Sequence, residues 1–311
     1  MTAVFVSCTD EVKARVRAVA GDVSVEFVDE LAAVSSPPEH VEAIVNLIKP
    51  ADFSRFPRLD WIHTATAGVD GFDVGSLNSR GVTVTSAAGN GGVALAEHSM
   101  MLMMMLNRDA TRWYRAQQDR RWDRFPHGEL AGRTVVVIGM GAAGKELARR
   151  AAAFDMTVVG VTRTPHDSIP HVSRLETSDR LASVVEDADF LVVAAPATPA
   201  TTGLVSAAVL DSMPAHASVI CVSRGGIVDE DALVSRLSDG RLAGAGLDAH
   251  RVEPLPVDSP WWSMSNVIVT PHNGATSDGT VRRGIEILVD NATRYFAGEK
   301  LRNIVDGVRG Y

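Results

Sequence analysis

Short apolar runs, mostly β-branched and bounded by turn residues, recur along the chain with helical spacing between them. In the first hundred residues they fall at 4–8, 23–28, 43–48, 61–64 and 82–85, and each predicts a strand. Val12, Val16 and Val19 follow Asp10 at helical spacing, which predicts a helix capped by Asp10 and ending near Ala20. A long apolar stretch rich in methionine predicts one helix over 92–113, with Met100, Met101, Met103, Met104 and Met105 as packing residues. A polar connector with interspersed Arg and Trp follows, to about Gly132. The alternation then restarts, with strands expected at 134–139, 156–161, 189–195, 217–223, 242–248 and 266–270, and a last helix over 277–297. Strand and helix in alternation imply two doubly wound α/β domains on parallel sheets.

Composition narrows the class. The chain has 311 residues, a length suited to two domains, and its 30 Lys and Arg against 38 Asp and Glu give a net charge of −8. That balance argues against a general binder of nucleic acid or anionic membrane. Glu97 and His98 interrupt the most apolar window, 93–106, which is too short to span a bilayer, and the N-terminus shows no secretory-signal pattern. Cys8 and Cys221 are expected to be buried, reduced thiols of a cytoplasmic protein. The nine histidines show no paired ligand spacing, and His166 and His171 lack suitable partners nearby, so no metal is expected.

The segment from Thr134 to Gly144 reads strand, glycine turn, helix start, with Gly139, Gly141 and Gly144 at G-x-G-x-x-G spacing. In that context the glycines permit a tight turn, close approach of a pyrophosphate and close helix–strand packing, and the helix N-terminus favours the phosphates. Selectivity between NAD and NADP is read at the end of the next strand. There the chain has Thr162, Arg163 and Thr164 and no carboxylate, which points to NADP(H), with NAD(H) also possible. Arg224, Glu253 and His272 follow three late strands, at the edge where open α/β sheets bind ligands. Each alone has an ordinary structural reading; together they form a carboxylate clamp, an orienting carboxylate and a proton donor.

Several stretches resemble the D-isomer-specific 2-hydroxyacid dehydrogenase family, and the similarity covers essentially the whole chain. They are Thr66-Ala-Gly68-Val-Asp, Ala96-Glu-His98, the 139–144 loop, Ala194-Ala-Pro196, Arg224-Gly-Gly-Ile-Val-Asp-Glu230, Gly246-Leu-Asp248 with Glu253-Pro, and Pro271-His272. The resemblance implies a flavodoxin-like substrate domain, 1–103 plus 282–311, with a Rossmann domain, 104–281, inserted in it. It implies a glyoxylate or hydroxypyruvate reductase-like enzyme that reduces a 2-keto acid with NADPH. His272 would donate the proton, Glu253 would orient it, and Arg224 would hold the substrate with the Ala67-Gly68-Val69 turn. Ala142, Ala143, Ala195, Pro196, Val222, Ser223, Asp248 and Gly274 would line the cofactor, with Asp248 near the nicotinamide carboxamide. The 47–50 loop would face the substrate's side chain, where Lys49 either attracts a second negative group or stands as a solvated loop lysine. The family implies a homodimer through the methionine-rich helix.

Departures are Ser223, where many relatives carry Ala, and Trp261-Trp262, expected to narrow the active-site mouth. Glu253 argues against formate dehydrogenase activity, since those relatives carry Gln there. The alternatives are a phosphoglycerate dehydrogenase-like enzyme without the regulatory domain many of those carry, and a non-catalytic NAD(P)-sensing protein.

Overall fold

The structure is a computed structural model that describes residues 1–164 and 167–307. The chain divides into two compact units, Met1–Gly91 with Asp278–Tyr311, and Gly92–Ser277. Its crossings thus fall at 91/92 and 277/278, where the sequence reading set them at 103/104 and 281/282.

The first unit is a parallel sheet of β1 (Thr2–Val6), β2 (Ser24–Val28), β3 (Val41–Leu47), β4 (Trp61–Thr64) and β5 (Thr83–Ser86), in the order β2-β1-β3-β4-β5. Because side chains alternate along a strand, an apolar run feeds two cores at once. Ala3 and Phe5 of β1 join Val12 and Val16 of α1 (Asp10–Ala20) and Leu288 and Ala292 of the chain's last helix, α9 (Asp278–Phe296). Val4 and Val6 face the other way, toward Val74 and Leu77 of α2 (Val74–Ser79) and the Phe53–Phe56–Leu59 loop. Thr9, rather than Asp10, caps α1: its hydroxyl accepts from the Val12 N–H at 3.4 Å, and Asp10 and Glu11 stand in the first turn, where the helix dipole favours them.

The second unit begins with α3 (Gly92–Asn107) and α4 (Ala110–Gln118), two helices where the sequence predicts one. Asp109 turns left-handed at φ 47° and breaks the run, a conformation that an Asp tolerates better than most residues. The sheet holds seven parallel strands in the order β12-β11-β10-β9-β6-β7-β8. These are β6 (Thr134–Ile138), β7 (Thr157–Thr162), β8 (Arg174–Thr177), β9 (Phe190–Val193), β10 (Ser218–Cys221), β11 (Gly244–Leu247) and β12 (Val267–Val269). The strand β8 is absent from the sequence reading because only Leu175 in it is apolar; it closes one edge of the sheet beside β7. Val135 and Val137 of β6 point into a core shared with Met100, Leu102 and Met103 of α3 and with Leu147 of α5 (Ala142–Ala153). Val136 and Ile138 point into the opposite core, against α6 (Leu181–Val184), α7 (Ala207–Ser212) and α8 (Glu230–Ser238).

Cys221 is buried, while Cys8 is only half-buried; burial pushes both thiols up to about 11. Trp261 lies in the second unit's core, 3% exposed, and Trp262 lies outside it, bonded through its indole N–H to the Pro256 carbonyl at 2.8 Å. No helix among the described residues is long and apolar enough to cross a membrane.

Candidate active site

The glycine loop divides its work three ways. At Gly139, φ is 94°, and a Cβ there would meet the Ala195 backbone at 2.7 Å. A Cβ on Gly144 would stand 2.1 Å from the Gly139 carbonyl, so glycine is required for α5 to pack on the turn. Gly141 is different: a Cβ there would meet nothing within 4 Å, and the residue is exposed. No side chain caps the helix that Gly141 opens, so the first N–H groups of α5, from Ala142, Ala143 and Gly144, are left without a side-chain cap. An uncapped helix N-terminus with open space before it fits the pyrophosphate of a dinucleotide.

At the end of β7, Thr162 is 9% exposed and gives its hydroxyl proton to the Thr164 carbonyl at 2.7 Å, so it braces the turn that displays Arg163 and Thr164. Both of those side chains are exposed. After β9, Ala195 is buried and Pro196 exposed, with the Pro196 carbonyl accepting from Thr201 at 2.7 Å. His166 lies outside the described residues.

Arg224, Glu253 and His272 sit on the loops that follow β10, β11 and β12, three neighbours in the sheet. His272 Nδ1 lies 2.7 Å from Glu253 Oε2, and the two side chains are 38% and 36% exposed, so the pair is reachable from solvent. Burial alone would raise the Glu253 carboxyl, but the His250 backbone N–H, at 2.9 Å from Oε1, and the His272 ring outweigh it and hold it below the ordinary glutamate value. Arg224 is half-buried, with Nη1 on the Ser223 carbonyl at 2.8 Å. Val222 and Ser223 are nearly covered, and the Ser223 hydroxyl is buried without a hydrogen-bond partner of its own.

His272 takes a left-handed backbone, φ 51°, which needs support from its surroundings. Asp248 provides it. The carboxylate is fully buried, with Oδ1 accepting from the Thr270 hydroxyl at 2.6 Å and the Asn273 N–H at 3.0 Å, and Oδ2 accepting from the Gly274 N–H at 2.9 Å. Expected beside the nicotinamide carboxamide, Asp248 is engaged in holding the His272 loop. Gly274 is confined by the same carboxylate, since a Cβ there would lie 2.8 Å from Oδ2. Because the Thr270 proton goes to Asp248, the Thr270 oxygen accepts from His98 Nε2 at 2.9 Å. His98, Thr270 and His250 are given no role by the sequence reading. His98 meets Thr270 from 172 positions away, and the Ala96-Glu-His98 stretch is the signal in the sequence that points to it.

On the first unit, the Ala67-Gly68-Val69 turn is tied down by Thr66, whose hydroxyl donates to the Gly68 carbonyl at 2.6 Å and whose carbonyl accepts from the Ala87 N–H at 3.0 Å. Lys49 is exposed; its neighbour Pro50 would lie 3.6 Å from a Cβ on Gly71, so the 47–50 loop abuts this turn. Among the described residues no group of three or more His, Cys, Asp or Glu is arranged to hold a metal.

Residues 100–274 match the model of the family described as D-isomer specific 2-hydroxyacid dehydrogenase, NAD binding domain. The chain is 31% identical over 251 residues to the D-3-phosphoglycerate dehydrogenase of Methanocaldococcus jannaschii, covering 80% of this chain and 48% of that one. It thus spans about half the length of the first curated relatives that it matches. It is 30% identical over 275 residues to the glyoxylate reductase of Korarchaeum cryptofilum, covering 85% of this chain and 82% of that one. Among solved structures it resembles a D-isomer specific 2-hydroxyacid dehydrogenase from Xanthobacter autotrophicus Py2 in complex with NADPH and MES, with 33% identity, a TM-score of 0.84 and 99% of each chain covered.

Proposed function

Because the chain belongs to the D-isomer specific 2-hydroxyacid dehydrogenase family, we propose that it reduces a 2-keto acid to the D-2-hydroxy acid with NADPH. The observation that carries this reading is the 2.7 Å contact of His272 with Glu253, on loops beside the one that bears Arg224. The dinucleotide, when bound, supplies the hydride; Gly139, Gly141, Ala142, Ala143 and Gly144 would hold its pyrophosphate. His272, with Nδ1–H given to Glu253, holds at Nε2 the proton destined for the keto oxygen. Glu253, kept ionised, accepts from Nδ1–H throughout, so that after transfer the ring is left as the Nδ1–H tautomer. Arg224 pairs with the substrate carboxylate and sets positive charge where negative charge develops on the keto oxygen. On the family resemblance, the N–H groups of Ala67, Gly68 and Val69 are also assigned to substrate binding. Ala195, Pro196, Val222 and Ser223 line the nicotinamide half, while Asp248 and Gly274 act through the loop they hold.

NADPH is favoured over NADH by Arg163 and Thr164, exposed at the end of a β7 strand that offers no carboxylate. The NADPH complex of the Xanthobacter protein supports the same choice. The likeness to D-3-phosphoglycerate dehydrogenases supports a second reading, in which exposed Lys49 takes a phosphate on the substrate's side chain. We assign the chain to a homodimer, supported by the exposed Met101, Met104, Trp113, Tyr114 and Trp122 of the second unit. The test is NADPH oxidation by the purified protein with glyoxylate, hydroxypyruvate, larger 2-keto acids and 3-phosphohydroxypyruvate. Turnover with the first three and none with the last selects the first reading; turnover with none of them overturns both.

A further inference from the structure

Among the described residues, His250 stands beside the Glu253–His272 pair and is left unused by the mechanism above. It is 5% exposed and reaches Glu253 directly and His272 through the Thr270 carbonyl. Its backbone N–H donates to Glu253 Oε1 at 2.9 Å, the oxygen that His272 does not use. Its ring Nε2 lies 3.3 Å from the Thr270 carbonyl, and that carbonyl also accepts the backbone N–H of His272 at 3.1 Å. A third loop closes on the same residue. A Cβ on Gly225 would stand 2.1 Å from the His250 carbonyl, so the segment carrying Arg224 packs directly on the His250 backbone.

The ring's tautomer follows from these contacts. Nδ1 is buried without a partner, so a proton there would be an unmet donor, while Nε2 and the Thr270 oxygen would oppose lone pairs. The proton therefore belongs on Nε2, donating to Thr270.

We propose that His250 is a positioning residue that fixes Glu253 through its backbone and the left-handed His272 through its ring, and so sets the register of the pair. The proposal rests on the reductase reading for its kinetic consequence, but not for its geometric one. Two variants separate the ring's donor from its bulk. His250→Phe keeps an aromatic ring and removes the donor; His250→Gln restores an N–H that reaches the Thr270 carbonyl. Rates with NADPH and hydroxypyruvate are measured together with NADPH affinity, Tm and the NMR resonance of the His272 proton shared with Glu253.

His250→Phe is expected to lower kcat about tenfold through misplacement of the pair. KM and NADPH affinity should stay within about twofold of wild type, the His272 resonance should move, and His250→Gln should recover most of both effects. A Phe variant with wild-type kcat and an unmoved resonance would overturn the proposal. So would equal losses of kcat, NADPH affinity and Tm in both variants, which mark a merely structural role. If the protein reduces no 2-keto acid, the His272 resonance still decides, since it reports the geometry without turnover.

Discussion

Glu253 and His272 stand 19 positions apart in the sequence and 2.7 Å apart in the structure, and that contact changes what each residue is. Two loop residues with ordinary structural readings become a hydrogen-bonded pair, proposed above as the proton donor and the group that orients it. Arg163 is read in the same way, from its neighbours and not from itself. Its guanidinium follows a strand that ends without a carboxylate, so Arg163→Ala should shrink the ratio of kcat/KM for NADPH over NADH about tenfold, the weight of one charge-assisted hydrogen bond. Steady-state kinetics with both cofactors check this, and an unchanged ratio removes Arg163 from cofactor selection. Residues proposed to meet a ligand stand out in the sequence because they are polar side chains after buried strands. Residues that hold those side chains do not. His98 meets Thr270 across 172 positions, and the Asp248 carboxylate works on backbone N–H groups that carry no sequence signal.

Elements were legible to the extent that burial wrote their pattern. Strands such as β6 and β9 are covered on both faces and read as unbroken apolar runs. The edge strand β8 is covered by little and was missed, and the α3–α4 break was missed because Asp109 sits in an otherwise helical pattern. Helix α5 gives the sharpest test at this scale. Gly141 has φ −75°, which any residue adopts, and open space where a Cβ would go. Gly141→Asp should therefore leave Tm unchanged or raise it, since Asp is a better helix cap. It should weaken NADPH binding at least tenfold by setting a carboxylate where the pyrophosphate belongs. Fluorescence titration with NADPH measures the loss; wild-type affinity would place the pyrophosphate elsewhere.

The molecule as a whole is two units whose stabilities rest on separate cores, and the first carries a buried acid-sensitive group. His63 has no exposed surface, one nitrogen 2.9 Å from the Thr85 hydroxyl and the other without a partner. Burial lowers its pKa to about 4 from the ordinary histidine value of 6.5. The unfolded chain therefore binds a proton between those values that the folded one refuses, and stability falls as pH drops through that window. From pH 7 to pH 5 this residue alone should cost about 2 kcal/mol. Urea unfolding at both pH values should show the loss in the wild type and a smaller one in His63→Leu; equal losses would locate the acid sensitivity elsewhere. Composition described the molecule only in bulk. Its net charge of −8 disfavours polyanions, while Arg163 and Arg224 place positive charge where small anions are proposed to sit.

The central claim is that the Glu253–His272 pair delivers the proton in reduction of a 2-keto acid. It is tested most directly by kcat for hydroxypyruvate with NADPH in the wild type and in His272→Ala, alongside NADPH affinity in both. The wild type should turn over, and the variant should lose a factor of about 10²–10⁴ in kcat with cofactor affinity nearly intact. A variant that keeps kcat within tenfold of the wild type would contradict the claim and send the proton through another group.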